Sequence, residues 1–124
     1  MTFTFENVIA WQRAHQFVLA VYGITKGFPP EEIYGLTSQF RRAAVSIEAN
    51  IAEGYKKISK ADKLRFLNIS QGSVEECRDY IILSRDLLYV NEQQFSELHQ
   101  LLEDASKMLY LYCNGIKNNN GIKD

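Results

Sequence analysis

Apolar positions along the chain recur three and four residues apart over four long stretches, the spacing that gathers side chains on one face of an α-helix. In the first stretch, from about Asn7 to Lys26, the row is Trp11, Ala14, Val18 and Val21, widened by Phe17 and Ile24 to the breadth of a core-facing helix. Asn7 is the expected N-cap. Gly27 followed by Pro29 and Pro30 should end the helix, because glycine accepts left-handed dihedrals and proline cannot continue the hydrogen-bond ladder. Pro30-Glu31-Glu32 reads as one short helical turn. The second helix is expected to start at Thr37 or Ser38, either of which can cap it, and to stop around Gly54-Tyr55. Its row is Leu36, Phe40, Ala43, Ile47 and Ile51.

After the basic link Lys56-Lys57-Ile58, Ser59 and Asp62 have the spacing of a capping box, with aspartate where the longer glutamate is usual. The third row runs Leu64, Leu67, Val74, Cys77, Ile81, Ser84 and Leu88. A helix of roughly 30 residues would be about 45 Å long. Gly72 lies in its middle at a cost of about 1 kcal/mol relative to alanine, which points to a close helix approach or a bend. Asn91 and Gln94 form a second box, opening a fourth helix with the row Phe95, Leu98, Leu102, Ala105, Leu109, Tyr112 and Ile116. No stretch alternates with the period of a strand. The pattern therefore predicts an all-α, antiparallel up-down-up-down four-helix bundle over residues 1–116, with 117–124 as a flexible C-terminal tail.

Composition agrees with a folded domain: 46% of the 124 residues are hydrophobic and 23% are charged. The net charge of −1 excludes a basic field over the whole molecule but hides an uneven distribution. From Thr37 to Phe66 seven basic residues face three acidic ones; from Glu75 to Asp104 eight acidic residues face Arg78 and Arg85. A basic end and an acidic flank follow, unless these are only solvated helix faces. The N-terminus lacks the basic and apolar regions of a signal peptide, and no run is long enough to span a membrane, so a cytoplasmic location is expected and no membrane partner.

Candidate chemistry is sparse. Cys77 and Cys113 fall in apolar rows and read as reduced core thiols; His15 and His99 read as surface or boundary residues, so no metal site is expected. Glu75-Glu76 and Glu103-Asp104 are adjacent in sequence and diverge on a helix. No Glu-x-x-His pattern supports di-iron chemistry, and no glycine-rich loop suggests a phosphate cofactor. No catalytic residue, cofactor or small-molecule substrate is expected. Two features exceed the needs of a core. Gln39, Arg42, Ser46, Asn50 and Glu53 form a polar stripe beside the apolar row of helix two, facing solvent, a network or subunit interface, or a ligand. Ser70, Gln71, Ser73 and Glu76 are possible partners on helix three, and Arg42 could pair with Glu53 or Glu76. Arg41 and Arg42 at one end of helix two, and Lys56, Lys57, Lys60, Lys63 and Arg65 at the other, are candidate phosphate contacts, with Tyr55 offering a stacking surface.

The segment Leu36-Thr-Ser-Gln-Phe-Arg-Arg-Ala-Ala-Val-Ser-Ile-Glu-Ala-Asn-Ile-Ala-Glu-Gly54 resembles the signature of the bacterial 23S rRNA intervening-sequence protein family. Val8-x-x-Trp11-Gln12-x-Ala14, Phe28-Pro29, Phe66-Leu67 and Gly72-Ser73-x-x-Glu76 agree in order, so the resemblance covers roughly residues 5 to 115. Where the family usually has proline this chain has Glu48, which should leave helix two regular. The resemblance implies small proteins encoded within insertions in 23S rRNA genes, or standing alone, with no settled activity. The family is also similar to accessory variability proteins of diversity-generating retroelements, five-membered barrels whose basic surface engages RNA and a reverse transcriptase. By that likeness the chain would be a homopentamer, with RNA or a nucleic-acid-processing protein as partner and the polar stripe lining an interface or a network between helices. A protein-interaction scaffold without nucleic-acid contact is the alternative.

Overall fold

The computed structural model describes residues 4–119. They fold as four helices, α1 (Ile9–Thr25), α2 (Leu36–Lys56), α3 (Lys60–Asp86) and α4 (Glu92–Asn118), with 3-10 turns at Phe5–Asn7 and Pro30–Glu32 and no strand among the described residues. Each helix packs against two others: α1 on α2 and α4, α3 on α2 and α4. The backbones of the remaining pairs do not approach, which is the arrangement of a bundle around one shared core.

The apolar rows build that core. Phe17, Val21, Phe40, Ile47, Ile51, Leu67, Leu98 and Leu102 are buried to 1% exposure or less, and the Phe17 and Phe40 rings lie 6.3 Å apart. Burying each of the larger side chains contributes about 1.5–3 kcal/mol, so these four rows dominate the stability of the fold. Cys77 and Cys113 are buried free thiols within it. The few buried polar groups are satisfied locally. Ser84 donates to Tyr80 O at 2.7 Å, and Ser70 donates across the α2–α3 contact to Ile47 O at 2.9 Å. Among the described residues no buried side-chain nitrogen or oxygen lacks a partner.

Several helix ends differ from expectation. Asn7 does not cap α1; it closes a reciprocal box with Thr4 around the Phe5–Asn7 turn, and α1 starts after Val8 without a side-chain cap. Gly27 has no left-handed φ, since α1 tightens into 3-10 bonds from Gly27 to Ile24 and from Phe28 to Thr25. Neither Thr37 nor Ser38 caps α2. The helix begins one residue earlier, at Leu36, and the Glu32 carboxylate reaches forward to accept the Leu36 N–H at 2.9 Å. Ser59 caps α3 by accepting from Asp62 N at 3.1 Å, without the reciprocal bond; the Asn91–Gln94 box is complete.

α3 is 27 residues long and stops before Leu88, which is not part of the core row. There the chain reverses: Leu88 N bonds to Arg85 O and Tyr89 N to Ser84 O, both at 2.9 Å. That closure requires a left-handed residue, so Leu88 takes φ 63° with its side chain 87% exposed. Gly72 is exposed with nothing within 4 Å of where a Cβ would stand, so no helix approaches it closely. The close approach is at Gly54, where a Cβ would lie 3.2 Å from Lys63 O and 3.3 Å from Phe66 Cβ. α4 continues through Lys117 to Asn118, two residues into the expected tail; residues 120–124 of that tail lie outside the described residues.

Candidate nucleic-acid interface

Three residues, Lys57 to Ser59, join α2 to α3, so the basic residues on either side of the turn meet at one end of the bundle. Lys63, one turn into α3, points back at the end of α2. Its Nζ donates to Tyr55 O at 2.8 Å and to Gly54 O at 3.5 Å, and lies 5.8 Å from the centre of the Tyr55 ring. A cation there meets the last carbonyls and negative dipole end of α2. Partial burial pushes its pKa down. Lys63 thus closes a helix.

The neighbouring cations face outward. The Phe66 ring has Lys57 Nζ at 5.0 Å and Arg65 Cζ at 4.8 Å from its centre. Lys57 also pairs with Glu53, and Arg65 with Asp62, each at 3.6 Å. Such exposed pairs are worth at most about 1 kcal/mol, so either cation can turn to another anion at small cost. Lys56 is exposed, and its side chain makes no hydrogen bond or ion pair among the described residues. Lys60 Nζ lies 3.4 Å from Lys117 O, which brings the end of α4 and its Lys117 to the same end of the molecule. Sequence reading missed Lys117 because it fell in the expected tail; α4 instead runs on through it to Asn118. Two open clefts adjoin this end. One, of about 620 Å³, is lined by Thr4, Phe5, Ala49, Ala52, Glu53, Tyr55 and Lys56. The other, of about 400 Å³, lies between Tyr55, Lys63 and the last turns of α4.

The structure does not bring Arg41 and Arg42 to these lysines. Fourteen residues of helix separate Arg42 from Lys56, about 21 Å along the axis. Arg41 is tied to α1, donating from Nε to Thr25 Oγ1 at 2.8 Å and lying over Tyr22 at 4.7 Å. Arg42 opens onto a polar groove of about 430 Å³ with Tyr34, Ser38, Gln39, Ser46 and Glu76. It forms no ion pair with Glu53 or Glu76; Glu53 lies three turns away and pairs with Lys57 instead.

The rest of the polar stripe is partly an internal network. Asn50 Nδ2 donates to Ser46 O at 2.9 Å and Ser46 Oγ at 3.1 Å, while Ser73 Oγ donates to Ser46 Oγ at 2.9 Å. Tyr80, a partner the sequence did not suggest, donates its hydroxyl to Gln39 Oε1 at 3.1 Å. α2 runs unbroken through Glu48, which meets His15 Nδ1 at 3.1 Å, and the His15 ring stacks on Trp11 at 4.8 Å.

Acidic residues occupy the opposite end and the α3–α4 flank. Besides accepting from Leu36, Glu32 accepts from the Tyr89 hydroxyl at 2.8 Å, and the two bonds hold its carboxyl below the usual range while raising the phenol. Arg78 donates to both Glu103 oxygens at 2.8 Å and also engages Glu75 and Ser106. Its bonds lower the Glu103 pKa. Among the described residues no three His, Cys, Asp or Glu side chains gather as a metal ion requires, and no helix is long and apolar enough to cross a membrane.

A crystal structure of a protein of unknown function from the S23 ribosomal protein family of Bacteroides thetaiotaomicron is similar to this fold, with a TM-score of 0.78 at 20% identity. The match covers 86% of this chain and 96% of that one, and at such identity it is a likeness of fold. No curated protein matches the chain. The family model described as 23S rRNA-intervening sequence protein matches residues 6–111, a span that takes in all of α1, α2 and α3 and most of α4. The four-helix chain with its basic α2–α3 turn belongs to the 23S rRNA-intervening sequence protein family.

Proposed function

We propose that the protein is a non-catalytic, cytoplasmic, oligomeric bundle that associates with RNA through its basic end. The carrying observation is the convergence of Lys56, Lys57, Lys60, Arg65 and Lys117, contributed by three helices and the α2–α3 link, at one end of the bundle. An up-down-up-down course explains that convergence. Contacts between α2 and α3 descend as the chain advances, from Tyr55 with Lys63, through Ile47 with Ser70, to Gln39 with Tyr80. Those between α1 and α2 (His15 with Glu48, Thr25 with Arg41) and between α3 and α4 (Lys60 with Lys117, Arg78 with Glu103) do the same. Family resemblance suggests a pentamer, and a ring would present the basic end five times, turning weak phosphate contacts into avid ones.

The test is RNA affinity against salt, with solution mass measured by light scattering alongside. Four phosphate contacts on a single strand should weaken binding about 50-fold between 50 and 200 mM salt. Replacing Lys56, Lys57, Lys60 and Arg65 with glutamine should remove most of that dependence; Lys63 is left intact because it closes α2. Salt-insensitive binding, or binding indifferent to the four substitutions, would overturn the reading. A monomeric mass would remove the ring. The groove at Arg42, which has no ion pair among the described residues, lies beside a 93% exposed Tyr34 and favours a second reading as a protein-interaction scaffold. That reading gains if one protein partner is retained after nuclease treatment and lost on Arg42→Ala.

A further inference from the structure

The cleft of about 620 Å³ beside the basic end has features that phosphate binding alone does not require. Its helical side is α2, where Ala49 and Ala52 present no long side chain over one turn. Phe5 closes another side. The Phe5–Asn7 turn that carries it is held by the Thr4–Asn7 box and by Gln12 Nε2 donating to Glu6 O at 2.8 Å. Behind Phe5 stands Trp11, with ring centres 5.2 Å apart in an edge contact. Tyr55, Lys56 and Glu53 complete the lining. An apolar slot with aromatic walls, an unpaired cation and a carboxylate acceptor matches a flat heteroaromatic ring that carries amino groups and is attached to a phosphate.

We infer that this cleft receives an unstacked nucleobase of single-stranded RNA, with Phe5 and Tyr55 against the ring, Glu53 accepting from an exocyclic amino group and Lys56 on the adjoining phosphate. The inference rests on the proposed RNA association and gives it a strand preference. A duplex keeps its bases paired and stacked and has no free base face to offer this cleft. Continuity with the lysine-rich turn sets the occupant: Lys56, which lines the slot, is the last residue of α2 before the link to α3, so a strand held by Lys57, Lys60 and Arg65 runs beside it.

The experiment uses the full chain with three labelled probes of equal length: oligoadenylate, an abasic strand and an RNA duplex. Trp11, the single tryptophan, reports the cleft through Phe5. Oligoadenylate should quench its emission and bind about tenfold tighter than the abasic strand, which carries the same phosphates. Ala49→Leu, an exposed position on a helix surface, fills the slot with a helix-compatible side chain. It should abolish the preference for bases and leave duplex and abasic binding unchanged. Phe5→Ala should reduce the same preference, read by probe anisotropy with helicity checked by dichroism. If oligoadenylate and the abasic strand bind the unaltered chain equally, the cleft inference falls while the RNA reading stands. If no probe binds at low salt, both fall.

Discussion

Leu88 sits where a left-handed backbone is mandatory, and it is the one non-glycine residue with positive φ among those described. A Cβ in that conformation costs about 1–2 kcal/mol, and the exposed side chain recovers little by burial. Glycine relieves the strain but enlarges the freedom of the unfolded chain, which offsets part of the gain. Leu88→Gly should therefore raise stability by about 0.5–1 kcal/mol, read as a higher urea midpoint at unchanged slope. A lower midpoint would show that the leucine side chain makes contacts that stabilise the end of α3.

At the scale of the helix, two glycines predict opposite outcomes. Gly72 is exposed in mid-helix with open space at its missing Cβ, so Gly72→Ala should stabilise by about 1 kcal/mol. Gly54 faces the carbonyl of Lys63 and the Cβ of Phe66, neither of which can swing aside. Gly54→Leu should cost about 2 kcal/mol or more by forcing α2 from α3 and detaching Lys63 from its carbonyls. The comparison is two denaturation curves, and equal effects would refute the packing described here.

The same pair shows how far the sequence could be read. Spacing alone located four helices, because a row of Leu, Ile and Phe at 3-4 intervals has one way to leave water. It could not say which glycine met a neighbour, since that depends on which turns of two helices coincide in space. Helix ends were misjudged for a related reason. Glu32 caps α2 from four residues upstream, and Thr4 rather than Ile9's neighbours uses Asn7. The candidate site was legible as a lysine-rich turn. That Lys63 turns inward and Lys117 joins from the far end of the chain depends on tertiary proximity, which no local pattern carries.

At the scale of the molecule, lysines gather at one end while most of the acids lie elsewhere, and two of those acids carry a pH signature. Hydrogen bonds from Arg78 hold Glu103 below the ordinary glutamate value, and the Leu36 N–H does so for Glu32. A carboxyl that ionises more readily folded than unfolded favours folding above its unfolded pKa. That contribution is lost as pH falls through the lower folded value. Stability should be flat near neutrality on account of these groups and decline with acid below about pH 4.3. Glu103→Gln should lower the neutral-pH midpoint and make the acid decline shallower; a parallel curve would show that the Arg78 pairing is not part of it.

The buried thiols turn that fold into its own clock. Burial lifts the pKa of both Cys77 and Cys113, leaving almost no thiolate to meet an alkylating reagent while the helices stay together. Modification must wait for the chain to open, so its rate counts openings. With one sulfur in α3 and one in α4, mass spectrometry of singly labelled chains would tell whether the two helices part company together or one at a time.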